Sequence, residues 1–440
     1  RHKARLVVKG FTQRYGVDYF ETYAGVVRFD TIRACMANAA IEGWQFIIFD
    51  VMNAYLTAPI EEEVYIKPPE GVSIPGITAM QVLRLLRALY GTKQAARAFA
   101  ILLAKVLREL GFLPTRSDPC LYYRPAKDKR GPALVHSHVD DGVIYGSGES
   151  CILELLEALH KRLPLKYGHD DLLGCVVQRR SKHEIFTHQR PMLEDIVRTC
   201  DAQHLNPVAV PMAHDAAAKD LRKLEPGEAT TDASIYRTVV GKLLYPANLT
   251  RPDLSPAVGR LARYMDNPGA RHMAMVKRTL RYLKGTSDQG LLYRQGDVTD
   301  MSRALFAFSD SDWASDLDDR KSTTGHCIFI GLCLVAWKAL KQDLAALSTP
   351  HAEYVALVFT CQVILFFRDM LKEIGFEQSG PTTIFVDSLS AKYTAEGVTK
   401  KSKFIDIKFH FIRDCVAKGL VKVIHIPSEE NLADLFTKPL

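Results

Sequence analysis

Apolar and polar positions along the first 200 residues predict a mixed α and β structure. The run WQFIIFDVMNAYL, which begins at Trp44, is apolar almost throughout until Asp50, as in a strand buried on both faces. ARLVVKGF (residues 4–11) predicts a further strand, and residues 93–110 predict a helix that Thr92 caps and Gly111 ends. CLYYRP, ALVHSHV and GVIYGSG then predict three short strands.

The pattern changes after about residue 201. The stretches NPVAVPM and LEPGEATTDAS are polar connections that contain proline, which is typical of a boundary between domains. From about Ala304 the pattern resumes as strand, strand, long helix, strand, helix and strand. A chain of 440 residues is also too long for one hydrophobic core, so we expect two to four domains.

Composition excludes several classes of protein. Hydrophobic residues make up 47% and charged residues 24%, which is ordinary for a globular chain and excludes a disordered or fibrous one. The nine cysteines show no paired CxxC spacing, so neither a disulfide framework nor a zinc site is predicted, which fits a reducing compartment. The apolar run CIFIGLCLVAW is too short to cross a bilayer, and we expect no membrane span.

The basic residues are concentrated in one segment. The net charge is +7, and residues 259–285 carry seven Lys or Arg against one Asp. Lys277, Arg281 and Lys284 recur there at helical spacing, while Met275, Leu280 and Leu283 can face inward. This basic stripe is either a solvated helix face or a track for a nucleic-acid backbone, which proteins bind by neutralising phosphates.

Two adjacent carboxylates interrupt the strand pattern in LVHSHVDDGVIYG, residues 134–146. Asp141 followed by Gly142 is typical of a type I′ hairpin turn. Asp140 and Asp141 repel each other unless water or a cation separates them. If the strand that ends at Asp50 lies beside this hairpin, the three acids form a hard-oxygen site for Mg²⁺, and metal pairs about 4 Å apart serve phosphoryl transfer. The alternative is a solvated turn.

The order of the motifs resembles a known family. KARLVVKGFTQRYGVDY, VVRFDTIR, DVMNAYL, EEEVYIKPPEG, ALYGTKQAARAF and HVDDGVIYG resemble the reverse transcriptase of copia-type LTR retrotransposons. YRTVVGKLLYPANLTRPDLSPAV, RTLRYLKGT, FSDSDWASDLDDRKSTTGH, AEYVAL and ADLFTKPL resemble the rest of the same Pol polyprotein. The resemblance implies an α+β right-hand polymerase, with fingers and palm over residues 1–200 and a thumb or connection over 201–300. An α/β ribonuclease H-like domain over 301–440 would follow.

The resemblance assigns Asp50, Asp140 and Asp141 as the metal-binding acids of the polymerase palm. Two metals would activate the primer 3′-hydroxyl and neutralise the triphosphate.

The resemblance also implies a nucleotide pocket. Tyr55 matches the aromatic residue that stacks under the incoming sugar and leaves no room for a 2′-hydroxyl, although a Tyr is more often packed in a core. Gly91 and Lys93 match the block that shapes the nucleotide pocket, and Lys3 and Arg5 match basic residues near the triphosphate. These four could equally be solvated surface.

A second set of acids resembles the ribonuclease H site. Asp310 and Asp387 each end a predicted strand, Glu353 lies on the long predicted helix, and Asp434 lies near the terminus. Such a site cuts the RNA strand of a hybrid with two metals and a water. Taken singly, each acid could be an exposed surface residue. Other acids crowd the same stretch and are interpreted as loop acids: Asp312, Asp316, Asp318 and Asp319.

The chain departs from the family pattern at positions that leave every predicted metal ligand in place. They are His138, Thr92, Ala96, Phe99, Pro350, His351 and Phe404. Pro350 is tolerable only near the start of the helix that carries Glu353. These departures suggest relaxed constraint or a worn genomic copy.

The resemblance implies an RNA-directed DNA polymerase with ribonuclease H activity. It would use two Mg²⁺ per site, with Mn²⁺ as an alternative, and its partners would be an RNA template, a DNA primer, an RNA–DNA hybrid and deoxynucleoside triphosphates. Other parts of the Pol polyprotein are expected partners, and a membrane is not. The expected location is intracellular, in cytoplasmic virus-like particles with a nuclear phase, and the protein is not expected to be secreted.

The chain opens RHKARLVVKGF, so we expect it to be cut from a longer polypeptide whose fingers begin upstream. Two alternatives therefore stay open. One is a truncated, silent relic that only binds nucleic acid, and the other is a fragment in which ribonuclease H alone works.

Overall fold

The elements below come from a computed structural model that describes residues 4–69, 71–72, 74–78, 80–127, 131–212, 221–296, 303–398 and 411–438. Its strands are β1 (Gln45–Val51), β2 (Tyr65–Ile66), β3 (Leu83–Arg84), β4 (Leu113–Pro114), β5 (Leu121–Arg124), β6 (Ala133–His138), β7 (Asp141–Gly146), β8 (Leu165–Tyr167), β9 (Asp171–Leu172), β10 (Cys175–Ser181), β11 (Glu184–His188), β12 (Gly290–Arg294), β13 (Leu305–Ser311), β14 (Thr323–Ile330), β15 (Cys333–Lys341), β16 (Thr382–Val386) and β17 (Val421–His425). Its helices are α1 (Phe29–Glu42), α2 (Ala54–Thr57), α3 (Ala95–Glu109), α4 (Glu149–His160), α5 (Arg190–Thr199), α6 (Ala233–Leu249), α7 (Ser255–Ala262), α8 (Ala270–Gly285), α9 (Thr349–Glu373), α10 (Leu389–Ala395) and α11 (Phe411–Ala417). Short 3₁₀ turns lie at Gly10–Thr12, Pro252–Leu254, Ser428–Glu430 and Leu432–Phe436.

The chain forms two compact units that do not follow the sequence in order. The first comprises Arg1–Arg28 and Trp44–His169, and the second comprises Phe29–Gly43 and Asp170–Leu440. These bounds differ from the predicted ranges 1–200, 201–300 and 301–440. Helix α1 packs on β11, β12 and β15. Helix α5 packs on α6 and α8. The polar connections after residue 201 therefore lie inside the second unit.

The first unit is built on a sheet with the strand order β4-β5-β6-β7-β1-β8. Strand β1 pairs antiparallel with both β7 and β8, so it lies inside the sheet, as its apolar run predicts. Phe49, Val135 and Ile144 from the sheet belong to the same buried cluster as Phe99 of α3 and Leu155 of α4. The strands predicted in CLYYRP, ALVHSHV and GVIYGSG are confirmed as β5, β6 and β7.

Two local predictions in the first unit are wrong. The residues from Ala4 to Lys9 form no strand, because the Val8 N–H donates instead to the carbonyl of Tyr90 at 2.8 Å. Helix α3 is capped by Gln94 rather than Thr92, whose hydroxyl donates to the Leu89 carbonyl at 2.8 Å. The end of this helix is confirmed at Gly111, whose φ of +87° is a conformation that favours glycine.

The second unit contains a sheet with the order β15-β14-β13-β16-β17 and another with the order β12-β11-β10-β9. Strands β13, β14 and β15 are antiparallel neighbours, whereas β16 lies parallel to β13 and β17 parallel to β16. Helix α9 packs across β13, β14 and β16. By length and composition α9 could cross a membrane, but 61% of its apolar stretch is buried, and one buried helix of this kind is weak evidence for a span.

Helices α5 to α8 share a second hydrophobic cluster in this unit. Tyr236 of α6 and Leu261 of α7 are fully buried there, and the Tyr236 hydroxyl donates to the Leu261 carbonyl at 2.9 Å. Met275, Leu280 and Leu283 of α8 are each at most 3% exposed, which confirms their predicted inward orientation.

Arg33 fixes helix α1 to the rest of the second unit. Its side chain is 3% exposed and forms an ion pair with Asp30. The guanidinium donates to the carbonyls of Val335 and Asn248, both at 2.7 Å, and lies 4.0 Å from the ring centroid of Trp337. Strand β15 and the end of α6 are thus joined to α1 through one side chain.

Replacing Arg33 by methionine should destabilise the attachment of α1, because the apolar stem remains while buried carbonyls lose their donors. Breaking a buried charged pair costs about 3 kcal/mol or more. Hydrogen exchange of the α1 backbone amides in the whole chain measures this directly. Arg198→Met, whose side chain is 76% exposed, is the matched control. Equal exchange in both variants would contradict the role of Arg33.

Candidate active sites

The hairpin between β6 and β7 turns at Val139 and Asp140, with His138 and Asp141 as its last paired residues. The predicted turn at Asp141 and Gly142 is therefore wrong, because both residues lie in β7. Gly142 instead allows the ring of Phe49 to pack closely against the backbone of β7, since a Cβ at residue 142 would lie 2.3 Å from that ring. Val139 has a φ of +59°, which is a strained conformation for a β-branched residue. Strained backbone conformations of this kind cluster at functional sites.

The hairpin brings the three predicted polymerase acids to one end of the sheet. Asp50 lies directly opposite Asp141 in the register of β1 and β7. The Val51 N–H donates to the carbonyl of Asp140 at 2.9 Å, which fixes the turn against the end of β1. All three acids are half-buried. The sheet thus holds these residues as neighbours, and their metal-binding role stays a prediction.

Tyr55 lies beside these acids. Burial raises its pKa, and the negative charge of Asp140 raises it further, which places the phenol within electrostatic reach of the hairpin. Its ring lies 5.1 Å from that of Tyr90, and the guanidinium of Arg5 lies 5.7 Å from the Tyr90 ring. Arg5, Tyr90 and Tyr55 therefore form a chain of contacts toward the acids. Lys3 lies outside the described residues.

Gly91 and Lys93 hold the segment that precedes α1. Gly91 has a φ of +90°, and a Cβ there would lie 2.1 Å from the carbonyl oxygen of Val8. The ammonium of Lys93 donates to the Tyr19 hydroxyl at 3.1 Å, and its backbone N–H donates to Gln13 Oε1 at 2.7 Å. Both residues have structural contacts in the first unit, and their assignment to a nucleotide pocket stays a prediction.

Three acids of the second unit converge on one point. Asp310 lies in β13, Glu353 in the first turns of α9, and Asp387 directly after β16. One carboxylate oxygen from each lies within 4.8 Å of the others, and in the described part of the chain this is the one such group of three. The parallel pairing of β13 and β16 explains the convergence, because the carboxyl ends of both strands meet at one edge.

Burial controls the electrostatics of this group. Asp310 is 4% exposed and Glu353 6%. Burial, followed by the charges of Asp310 and Asp387, raises the pKa of Glu353 to about 9. Burial also raises the pKa of Asp310 to about 6, although a hydrogen bond from Thr437 opposes the shift. Hard oxygens that repel one another at this spacing fit a divalent cation such as Mg²⁺.

Asp434 lies in the terminal 3₁₀ turn next to this group. Its charge contributes to the raised pKa of Asp310, after burial and Asp387, and its carboxylate pairs with Lys438. Asn431 donates to the carbonyl of Ser309 at 3.1 Å, which ties the turn to β13. The fourth predicted acid is thus near Asp310, and the fold holds its turn against β13.

The residues that seat this turn were not found from the sequence. Gly325 is one, since a Cβ there would lie 2.7 Å from the carbonyl of Ala433. A glycine inside a strand is a signal for close backbone approach, and Gly325 provides that signal. The roles of Asn431, Thr437 and Lys438 had no comparable signal.

The neighbouring acids lie in the loop after β13, as predicted, and two of them are structural. Asp316 is 4% exposed and pairs with Arg263 and Lys341, each at 2.7 Å. Burial acts to raise its pKa, but hydrogen bonds and these cations outweigh it and lower the pKa to about 2. The Asp312 carboxylate accepts the Thr323 N–H at 2.7 Å.

The basic stripe on α8 is partly engaged within the protein. Arg281 donates to the carbonyl of Asn206 at 2.6 Å, and Lys284 donates to that of Gln203 at 2.6 Å. Lys277 is exposed. Two of the three cations thus support the connection before residue 207, and the prediction of a nucleic-acid track stays a prediction.

The departures from the family pattern have local explanations where the structure describes them. Pro350 is the second residue of α9, the position at which proline is tolerated. His351 accepts the Leu347 N–H at 3.3 Å. The remaining positions are Ala96 and Phe99 on α3, with Phe99 in the core, His138 at the hairpin, and Phe404 outside the described residues.

The two units define a class of protein. The first is a polymerase palm, with acids on a hairpin beside a central strand. The second contains a ribonuclease H-like domain, whose five strands, numbered from β13 in chain order, lie in the order 3-2-1-4-5. Residues 1–214 match the family model described as "Reverse transcriptase (RNA-dependent DNA polymerase)". Similarity to Pol polyproteins of transposons extends over the whole chain. The chain belongs to the Pol polyproteins of copia-type retrotransposons.

Among similar proteins, the retrovirus-related Pol polyprotein from transposon RE2 of Arabidopsis thaliana is 36% identical over all of this chain. That from transposon TNT 1-94 of Nicotiana tabacum is 33% identical, also over all of this chain. The chain covers 30% and 33% of these two proteins, respectively.

Two solved structures resemble parts of the fold. A foamy viral protease-reverse transcriptase in complex with an RNA/DNA hybrid is 10% identical and has a TM-score of 0.46, over 90% of this chain and 45% of that one. LC11-RNase H1 in complex with an RNA/DNA hybrid is 19% identical and has a TM-score of 0.24, over 30% of this chain and 91% of that one. Both likenesses are too distant to bear on function.

Glu353→Gln should stabilise the metal-free chain at neutral pH. The folded-state pKa of Glu353, about 9, lies above its ordinary value of 4.5. As the pH rises, Glu353 loses its proton at a lower pH in the unfolded chain than in the folded chain. The protonated carboxyl group therefore makes its full contribution to the free energy of unfolding below pH 4.5, and this contribution is lost as the pH rises toward 9. At pH 7 the variant, which cannot ionise, should be more stable by up to about 3 kcal/mol.

Guanidinium denaturation in EDTA at pH 4 and pH 7 measures this difference, which should vanish at pH 4. Asp369→Asn, an exposed residue on the same helix, is the control. A variant less stable than the parent at pH 7 would refute the assigned burial cost.

Proposed function

We propose that the chain catalyses RNA-directed DNA synthesis in its first unit and degrades the RNA strand of the product hybrid in its second. The observation that carries the proposal is the presence of two separate carboxylate sites, one per unit, in a chain of the reverse transcriptase family. The substrates would be an RNA template, a DNA primer and deoxynucleoside triphosphates.

At the polymerase site, Asp50, Asp140 and Asp141 would hold Mg²⁺, or Mn²⁺ in its place. When bound, these ions neutralise the triphosphate and make the primer 3′-hydroxyl a better nucleophile. Tyr55 would form the surface under the incoming sugar, because its ring is half-buried beside Asp140. The strained turn at Val139, with a φ of +59°, would orient the neighbouring Asp140. Arg5, Gly91 and Lys93 would complete the nucleotide pocket.

At the ribonuclease H site, Asp310, Glu353, Asp387 and Asp434 would hold two Mg²⁺ ions. When bound, these ions supply the activated water that attacks the RNA phosphodiester. Support comes from the burial of Asp310 and Glu353, since carboxylates that repel one another in a water-poor site gain most from a cation. The Thr437 hydroxyl donates to the carboxylate of Asp310, and Asn431 donates to the backbone carbonyl of Ser309.

Further proposals concern partners and location. Because the chain spans about a third of the relatives it matches, the other parts of the Pol polyprotein are proposed partners. Lys277, Arg281 and Lys284 would contact the nucleic-acid backbone. We place the protein inside the cell, in cytoplasmic virus-like particles with a nuclear phase. Nine cysteines without a disulfide fit a reducing compartment.

A fragment in which ribonuclease H alone works is the second candidate. It is favoured by one observation: the oxygens of Asp310, Glu353 and Asp387 are gathered within 4.8 Å, whereas those of the hairpin acids form no such group in the described part of the chain. A silent relic that only binds nucleic acid is the outcome expected if neither site works.

Asp140→Asn should reduce primer extension on an RNA template in Mg²⁺ by more than about 100-fold, because even indirect metal contacts account for 10- to 100-fold. Glu157→Gln, an exposed acid on α4, is the control and should extend like the parent. A parent that extends no better than Asp140→Asn would remove the polymerase proposal for this chain.

Asp310→Asn should reduce cleavage of a labelled RNA–DNA hybrid to a similar degree, while primer extension stays at the parental rate. Asp369→Asn is the matched control, and Asp140→Asn should leave hybrid cleavage intact. Equal cleavage by the parent and Asp310→Asn would overturn the second assignment. Cleavage without extension by the parent would favour the fragment with ribonuclease H alone.

A further inference from the structure

A narrow cleft of about 40 Å³ opens beside the second carboxylate group. One wall is α7, with Arg260, and the opposite wall is the terminal turn, with Thr437 and Lys438. Thr437 also donates its hydroxyl hydrogen bond to Asp310. The cleft is therefore separated from Asp310 by the single side chain of Thr437, and it is formed in part by a helix that lies outside the five-stranded sheet.

Most charges that line this cleft are compensated within the protein. Arg263 pairs with Asp316 at 2.7 Å, and Lys438 pairs with Asp434. The guanidinium of Arg260 is different: it is half-buried, and it has no hydrogen bond or ion pair to any residue that the structure describes. Arg260 thus lines the cleft with a guanidinium that has no internal acceptor among the described residues.

Asp312, the other acid that lines the cleft, is not an acceptor for the Arg260 guanidinium. The Asp312 carboxylate accepts hydrogen bonds from the Thr323 N–H at 2.7 Å and from the Ser315 hydroxyl. Arg260 also contrasts with Arg281 of the basic stripe, whose guanidinium donates to a backbone carbonyl. Two arginines of residues 259–285 line the cleft, Arg260 and Arg263. Arg263 forms an ion pair with Asp316, whereas Arg260 has no ion pair with a described residue.

We propose that Arg260 binds a single backbone phosphate of the nucleic-acid substrate and so positions the strand over Asp310, Glu353 and Asp387. A guanidinium fork matches the oxygens of a phosphate, and such a charge-assisted pair is stronger than a neutral hydrogen bond. A cleft of about 40 Å³ has room for the oxygens of one phosphate group. This inference rests on the proposed ribonuclease H activity.

Binding of an RNA–DNA hybrid to the whole chain in EDTA, measured by fluorescence anisotropy, tests the proposal without catalysis. Arg260→Ala should weaken binding about 3- to 10-fold near 0.1 M salt and lower the slope of log K against log salt by about 0.9, the value for one phosphate contact. Arg260→Lys should keep the slope, and Arg198→Ala should match the parent in both quantities.

Single methylphosphonate substitutions in the hybrid locate the contact. At one position, loss of the phosphate charge should weaken binding by the parent but not by Arg260→Ala. No such position, or an unchanged slope for Arg260→Ala, would overturn the assignment of Arg260 while hybrid cleavage by the parent still supports the proposed function. A parent that neither binds nor cleaves the hybrid would instead remove the proposed function and this inference together.

Discussion

Repulsion between carboxylates that the backbone forces together is the constraint on which the rest of this structure depends. In the second unit, the parallel pairing of β13 and β16 and the packing of α9 hold carboxylate oxygens of Asp310, Glu353 and Asp387 within 4.8 Å of one another. Burial raises the pKa of Glu353 to about 9, so the fold tolerates the group by keeping a proton there. A divalent cation held by the three carboxylates would take over the role of that proton.

Rigid supports around each group make this arrangement possible. In the first unit, the Phe49 ring packs on Gly142. The backbone strain of the hairpin lies at Val139, which has a positive φ. In the second unit, Asn431 and Gly325 seat the terminal turn against β13 and β14. None of these supports carries charge toward the site. They prevent the acids from relaxing apart, which is the response that repulsion would otherwise produce.

Local pattern predicted the parts of the fold that depend on neighbouring residues alone. The apolar run of β1 and the short strands β6 and β7 were recognisable, and the acids followed from the motifs that contain them. The turn at Val139, the irregular segment around Val8 and the placement of α1 were not recognisable, because Phe49, Tyr90 and Trp337 decide them from distant positions. Thr437 and Lys438 were missed for the same reason, since only the folded turn brings them to Asp310.

The two acidic sites differ in burial, and in the proposed function they would therefore differ in how much they depend on a substrate. Asp50, Asp140 and Asp141 are half-buried, so water and salt screen their mutual repulsion, and the site has less to gain from a cation alone. A triphosphate that arrives with its own metal would supply the missing attraction. Asp310 and Glu353 are almost fully buried, so the repulsion between their ionised forms is little screened, and a cation that takes the place of the Glu353 proton would be favoured before any nucleic acid binds. The same chemistry would therefore be organised by the substrate in one unit and by the fold in the other.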